Sequence, residues 1–361
     1  MSSRHKAPSC VQTGKDEMTH LNRLGMSHAG VSVIELMVAM SISLILLLGM
    51  VKIFLGSKES YKVRENISMM QETARFGLES LTSAILMADH WGGVISSDLS
   101  ITASGLSGVS GSSTCNAAWV TNISQAVFGA DGNASIGSVT GFDDCVANAE
   151  YVANSDVLIL RYAAGQPLDN AFVQSTSGPD NSDDLFVRTS TGEKGTLLKG
   201  GVDPAAATSL SDQNGTNNYQ YRVEAYFLRP CSVLDSGTCS NGIPTLTRLT
   251  FKDGGVSQEP LVDGVEQMQF QYGIDTSSDG QVEQFVSASS VTNWNQVAAV
   301  RVDMLVRTES QDPDFQDPNA TYTLAGGTAD NGLVYVVSAS DRGFHRKRLT
   351  KVVQIRNRTR F

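Results

Sequence analysis

Hydrophobic positions along the chain fall into three patterns. The first is a nearly continuous apolar run over Val31–Val51, interrupted by Glu35 and a few serines. Its length predicts a helix able to span a bilayer, which requires about 20 residues. The second is an apolar stripe at three- and four-residue steps, which predicts that the helix continues to about residue 90. The stripe comprises Ile67, Met70, Ala74, Leu78, Leu81 and Ile85, and Trp91-Gly92-Gly93 follows as a stop signal.

The third pattern is an alternation of apolar and polar residues, clearest in Val300–Arg307, which is typical of strands. Gly, Asp, Asn and Ser occupy the connections, as turns require. The pattern predicts an α+β protein in which an antiparallel sheet packs on the second half of the helix. The predicted strands are Val157–Tyr162, Leu185–Thr189, Gln220–Leu228, Thr245–Phe251, Val265–Tyr272, Val297–Arg307, Leu333–Ser338 and Arg348–Arg356.

Residues 30–39 read GVSVIELMVA. No small-residue cleavage site of the secretory kind follows the apolar run, so we expect the run to stay in the mature protein. A carboxylate such as that of Glu35 is costly inside a membrane and normally has a partner there. The segment closely resembles the type IV prepilin cleavage motif, in which a glycine precedes the cut and a glutamate is fifth in the mature chain.

This resemblance implies that a prepilin peptidase cuts between Gly30 and Val31 and methylates the new amino terminus on Val31. Glu35 would then pair, in the apolar core of a filament, with the terminal amine of a neighbouring subunit. Two features depart from the usual pattern. The mature chain would begin with valine instead of phenylalanine, and the leader is long, so that Met18 or Met26 is an alternative start.

Cleavage would remove Cys10 and leave four cysteines, which allow three pairings. Their order along the chain favours two local loops, Cys115–Cys145 and Cys231–Cys239, formed in an oxidising compartment such as the periplasm. No pair has CxxC spacing, and a zinc or thioredoxin-like site is therefore the weaker interpretation.

Several segments of the second half of the chain resemble the PilW family of type IV pilus assembly proteins. They are residues 226–231, 239, 242–248, 259–270 and 353–358. The resemblance implies a type IV pilin-like fold with a leader over 1–30 and a helix over 31–91, of which 31–51 spans the membrane. A Ser/Gly-rich variable region with short strands would follow over 92–219, and a PilW-like β-sheet region over 220–361.

The PilW resemblance implies a minor pilin in a complex that primes pilus assembly and sits at the pilus tip. The expected partners are other minor pilins, the major pilin, the prepilin peptidase and a tip adhesin. We expect a single-pass inner-membrane protein with its body in the periplasm, and later a place in the filament. Two alternatives stay open: a minor pseudopilin of a type II secretion system, or an adhesive module that uses residues 92–219.

One acidic segment, residues 275–283, has the spacing of a calcium loop. Oxygen-bearing residues at alternate positions with glycine at the sixth match the first part of an EF-hand-type loop. The twelfth position is Val286, so the usual bidentate glutamate is missing. A polar hairpin turn is the competing interpretation. The candidate ligands are Asp275, Ser277, Asp279, Gln281 and Glu283.

The charge is distributed unevenly along the chain, and this bears on whether the protein binds nucleic acid. The net charge is −10, yet residues 342–360 hold eight basic residues and no acidic one. Because these charges alternate with apolar residues, a strand with one solvated face is favoured over a nucleic-acid arm, and no nucleic-acid partner is expected.

The sequence carries few catalytic signals. After cleavage the only histidines left are His90 and His345, and no GxSxG, HExxH, GxGxxG or Walker loop occurs. We therefore expect a non-enzymatic protein.

Overall fold

A computed structural model describes residues 30–101, 117–138, 145–175, 183–208, 210–235, 237–325 and 332–358. The chain divides into two compact units between Glu59 and Ser60. Helix α1 (Val33–Met87) contributes residues to both units, and α2 (Asn170–Gln174) and α3 (Pro204–Thr208) are short helices of the second.

The second unit is built mainly from strands, which form two larger sheets and two hairpins. In chain order they are β1 (Leu99–Ile101), β2 (Val127–Ala130), β3 (Val157–Leu168), β4 (Leu185–Ser190), β5 (Lys194–Lys199), β6 (Thr216–Arg229), β7 (Leu234–Asp235), β8 (Thr238–Cys239), β9 (Thr245–Lys252), β10 (Gly255–Asp263), β11 (Val265–Ile274), β12 (Gln284–Val286), β13 (Val297–Arg307), β14 (Thr321–Leu324), β15 (Leu333–Val336) and β16 (Arg346–Gln354).

The larger sheet has the order β1-β5-β4-β6-β3-β2, and β9 and β10 extend it beside the second half of β6. Every pairing in it is antiparallel except that of β1 with β5. Five of its eight described strands, β1 to β5, come from residues 92–219. The boundary predicted at residue 219 falls inside β6, so the variable region and the PilW-like region share one sheet.

The smaller sheet is antiparallel in the order β12-β11-β13-β16. Strands β7 with β8, and β14 with β15, form separate two-stranded hairpins. All eight strands expected from the alternation are present, with ends shifted by a few residues, and the α+β class is confirmed. Except for β15, strands of two to four residues were not predicted, because so short a run shows too little periodicity, and the six-residue β5 and nine-residue β10 were also missed.

The second half of α1 packs on these sheets through the predicted stripe. Met70, Ala74, Leu81 and Ile85 are buried together with residues of both sheets in one core. One face of the larger sheet lines this core, through residues such as Leu158 and Leu160 of β3. The alternate residues Val157 and Ile159 point to the opposite face of the sheet. The three- and four-residue spacing thus buries one stripe of the helix, as expected for an amphipathic helix.

Residues 117–126, 131–138 and 145–151 cover the opposite face of the larger sheet. Trp119, Val120, Ile136 and Tyr151 are buried there in a second core. Arg161, on β3, fixes this covering segment: its Nε and Nη2 donate to the carbonyl of Trp119 at 2.9 and 2.5 Å. The stretch expected to be a partly irregular insertion therefore seals a sheet that would otherwise expose an apolar face.

Gly77 marks the closest approach of the helix to the sheet. A Cβ at this position would lie 3.3 Å from Cγ2 of Val262 on β10. We expect Gly77→Leu to lower the free energy of unfolding by about 1–3 kcal/mol through overpacking. Thermal denaturation of the full chain in detergent measures this effect, with Ser83→Leu on the exposed side of the same helix as the control. Equal melting temperatures for the two variants would contradict the close packing.

Candidate functional site

Residues 30–59 contain the first candidate site. Gly30, Val31 and Ser32 precede the first turn of α1. The Ser32 carbonyl accepts the Leu36 amide at 3.0 Å, and its hydroxyl accepts the Ile34 amide at 3.4 Å. A serine at this position satisfies amide groups that have no partner within the helix, so the helix begins immediately after the predicted cleavage point.

The first part of α1 is apolar on every side. An 18-residue window of this helix has a mean hydropathy of 2.4, and none of it is buried. A helix that is hydrophobic all round requires lipid or other apolar helices around it. The exposed apolar side chains over this stretch include Val33, Ile34, Leu36, Met37, Val38, Met40, Ile42, Leu44, Ile45, Leu46, Leu47, Leu48, Met50 and Val51.

Glu35 lies in the first turn of this apolar helix, where the helix dipole favours a negative charge. Its side chain is exposed between the apolar residues Ile34 and Leu36. No described residue forms an ion pair with it. Gly30, Val31 and Glu35 are thus presented on one exposed segment.

The end of α1 is closed by the last described residues of the chain. Asn357 Nδ2 donates to the carbonyls of residues 86–88, at 2.9 Å for the last of them. Arg358 Nε pairs with Asp89 Oδ2 at 2.7 Å, and Asp89 Oδ1 accepts the indole N–H of Trp91 at 2.6 Å. The Asn357 amide thus satisfies carbonyls that a helix end leaves without partners, while Arg358 and Trp91 hold the carboxylate of Asp89 just beyond it. No local pattern predicts this contact, because the residues are about 270 positions apart along the chain.

Two of the predicted disulfide cysteines are joined in the structure. Cys231 and Cys239 form a disulfide that closes the β7–β8 hairpin, and Cys231 is fully buried. By the chain-entropy relation, a loop this short stabilises the fold by about 2–3 kcal/mol. Cys145 is disulfide-bonded, and its predicted partner Cys115 lies outside the described residues, as does Cys10.

The acidic segment forms a tight loop between β11 and β12. Ligand atoms of Asp275, Asp279 and Glu283 lie within 4.8 Å of one another. The Asp275 carboxylate accepts the backbone amides of Ser278, Asp279 and Gly280, at 2.6, 3.3 and 2.8 Å. Asp275 is buried, whereas the other two carboxylates are exposed.

Glu283 closes the same loop from its other end. Its carboxylate accepts the amides of Thr276 and Ser277 at 3.0 and 3.1 Å and the Ser277 hydroxyl at 2.7 Å. The hydroxyl, followed by these amides, lowers the pKa of Glu283 to about 2. The side chains of Asp275 and Glu283 therefore find donors within the loop, and Ser277 uses its hydroxyl as a donor. This arrangement supports the polar hairpin, since it needs no cation to satisfy the two carboxylates.

We expect Asp275→Asn to destabilise the loop by about 1–3 kcal/mol, because the amide nitrogen would face a backbone N–H and leave a buried donor unpaired. Asp279→Asn, at an exposed position, is the matched control. Melting temperatures of both variants, with and without millimolar calcium, separate the two interpretations. A calcium-dependent rise in the melting temperature of the parent protein, abolished equally by both substitutions, would support the calcium loop instead.

At least four of the seven described basic residues at positions 342–358 are paired with acids. Strand β16 confirms the strand interpretation of this stretch, but several of its charges meet buried carboxylates instead of solvent. This pairing leaves less basic surface for a nucleic-acid arm than the sequence suggested. The pairs are Arg346 with Glu266 and Asp317, Arg348 with Asp303, Lys351 with Glu79, and Arg358 with Asp89.

The two histidines serve contacts within the fold. His345 Nε2 lies 3.1 Å from Asp312 Oδ2, and its ring stacks on Phe315. His90 packs edge-on against Tyr219. His345 thus combines a polar contact with ring stacking, and His90 makes an aromatic packing contact.

The described residues form an α+β protein in which an apolar helix precedes a body of mainly antiparallel sheets. Residues 236–357 match the family model of type IV pilus-assembly protein W, and the resemblance to PilW is confirmed over that segment. The match does not include residues 226–231 or α1, for which the resemblance stays a prediction.

Two further comparisons add little to this match. A solved structure of a type IV-like pilin from Thermus thermophilus is similar over 57% of this chain and 80% of its own, with 12% identity and a TM-score of 0.25. A TM-score this low adds no weight to the assignment. No curated protein sequence matches the chain significantly.

Proposed function

We propose that this protein is a minor pilin of a type IV pilus. The observation that carries the proposal is the exposed apolar helix with Glu35 in its first turn, five residues after Gly30. In an apolar filament core, a charge is tolerable only if an opposite charge meets it there. The amine of Val31 in a neighbouring subunit would supply that charge once the leader is removed.

The PilW segment supports a pilus over a secretion system as the machine that this chain serves. In this proposal the body joins other minor pilins in the complex that primes pilus assembly, beneath a tip adhesin, and the major pilin is added afterwards. The apolar part of α1 anchors the protein in the inner membrane with its body in the periplasm, where the Cys231–Cys239 disulfide can form. Prepilin peptidase would cut the precursor and methylate Val31.

Mass spectrometry of the amino-terminal peptide, from cells with and without prepilin peptidase, tests the proposal. We expect a peptide that starts at Val31 and appears only when the peptidase is present. Sheared pili should contain the protein, whereas a pseudopilin would be absent from them and needed for secretion. An uncut leader, or a cut elsewhere, would count against membership of the type IV filament class.

A further inference from the structure

An open groove runs beside the second half of α1, within the second unit. Its volume is about 660 Å³, and its walls are α1, the end of β10 and the loop closed by the Cys231–Cys239 disulfide. Phe76 is 60% exposed and Val233 is 53% exposed. With Pro260 and Leu261 of β10, they form an apolar floor that no described residue covers. Apolar surface of this kind is costly to leave in water.

The groove carries negative charge and no compensating positive charge on its lining. Glu72, Asp263 and Glu309 line it, and none of the lining residues is basic. Asp263 is held by the Thr245 hydroxyl at 2.8 Å, whereas Glu72 and Glu309 are exposed and form no ion pair with a described residue. These three carboxylates do not converge as the calcium-loop candidates do, so they do not suggest a metal site.

Side chains complementary to this groove, basic and aromatic, occur about ten residues earlier on the same helix. Tyr61 is 71% exposed, and the basic residues Lys58 and Lys62 lie before and after it on the helix, again without an ion pair to a described residue. An aromatic side chain between cations fits an apolar floor between carboxylates. Because the groove borders α1 itself, a second helix that packs beside α1 lies over it.

We infer that the groove receives a basic turn of a neighbouring filament subunit's helix, in which an apolar side chain lies between lysine or arginine residues. This inference rests on the proposed function, because it requires subunits whose helices lie side by side. The apolar side chain packs on Phe76 and Val233, and the basic residues meet Glu72 and Glu309. The contact adds a charge-selective surface to the Glu35 pairing and favours partners with this pattern over partners with an acidic helix.

A photocrosslinking amino acid that replaces Phe76 tests the contact in cells that assemble pili. We expect an adduct whose partner peptide is a lysine- or arginine-containing helix segment of a pilin-class subunit. Its yield should fall about tenfold when Glu72→Lys and Glu309→Lys are combined, since apposed like charges repel. The matched control combines Asp98→Lys with Glu193→Lys, at two exposed positions outside the groove, and should keep the adduct.

Three results would overturn the inference: an adduct that the groove charges do not affect, an adduct outside a pilin helix, or no adduct from processed protein in sheared pili. The amino-terminal peptide and the pilus content are measured in the same cells. An uncut leader counts against the proposed function, whereas a processed and incorporated protein without the charge-sensitive adduct refutes the groove contact alone.

Discussion

We expect Glu35→Ala to leave cleavage after Gly30 intact but to reduce the protein in sheared pili about tenfold or more, equivalent to about 1.4 kcal/mol or more of lost assembly free energy. Glu35 lies on an exposed apolar helix, and the described residues give it no cation. In the filament its carboxylate would meet the amine of Val31 of a neighbour. Without it, that amine would enter a low-dielectric core unpaired, which is strongly unfavourable.

Glu59→Ala is the matched control, since Glu59 is an exposed glutamate of the same helix beyond the apolar run. Immunoblots of sheared pili and of membranes, at equal expression, measure incorporation. Mass spectrometry confirms that both variants start at Val31. If Glu35→Ala and Glu59→Ala enter pili equally well, Glu35 has no role in pairing and serves at most the helix terminus.

We expect Arg346→Met to destabilise the body by about 3–5 kcal/mol, the usual cost of removing one partner of a buried ion pair. Arg346 donates to Glu266 from Nε at 2.6 Å and from Nη2 at 3.0 Å, and its Nη1 lies 3.2 Å from Asp317. The Arg346 side chain is fully buried, and the side chains of its partners are 4% and 2% exposed. Removing the guanidinium would leave two carboxylates in the interior with too little compensation.

Thermal denaturation of the detergent-solubilised protein measures this loss, and Lys347→Met serves as the control at the exposed neighbouring position. Adding Glu266→Gln and Asp317→Asn to Arg346→Met should recover part of the stability, since neutral partners need no cation. If the Arg346 and Lys347 variants melt at the same temperature, the buried ion pairs contribute nothing to the fold.

Patterns within short windows made the elements predictable. The apolar run over Val31–Val51 fixes a helix because its composition leaves no polar face, and the stripe from Ile67 to Ile85 identifies the face that packs on the sheets. For β13, the strand predicted from the alternation and the strand in the structure have the same bounds, Val297–Arg307. The cleavage motif and Glu35 were equally visible, since they occupy ten consecutive residues.

Residues 92–219 show where local patterns fail. Only two of their strands, β3 and β4, were predicted, but they supply five described strands of the larger sheet and the covering segment over its outer face. Strand β3 is buried on both faces, so its sequence is nearly continuous in apolar residues and does not alternate. Pairing with β6 decides its role, and pairing is not encoded in any short window.

The sequence by itself determined the apolar helix, the position of Glu35 after Gly30, the α+β class and the PilW resemblance, because each depends on residues close together along the chain. Only the tertiary structure decided which charges are neutralised within the body and which stay exposed. Arg346 meets Glu266, and Arg358 meets Asp89, across long separations in sequence. The carboxylates of Glu72 and Glu309 stay exposed beside Phe76. Electrostatic energy depends on distance in space, so folding alone establishes these differences.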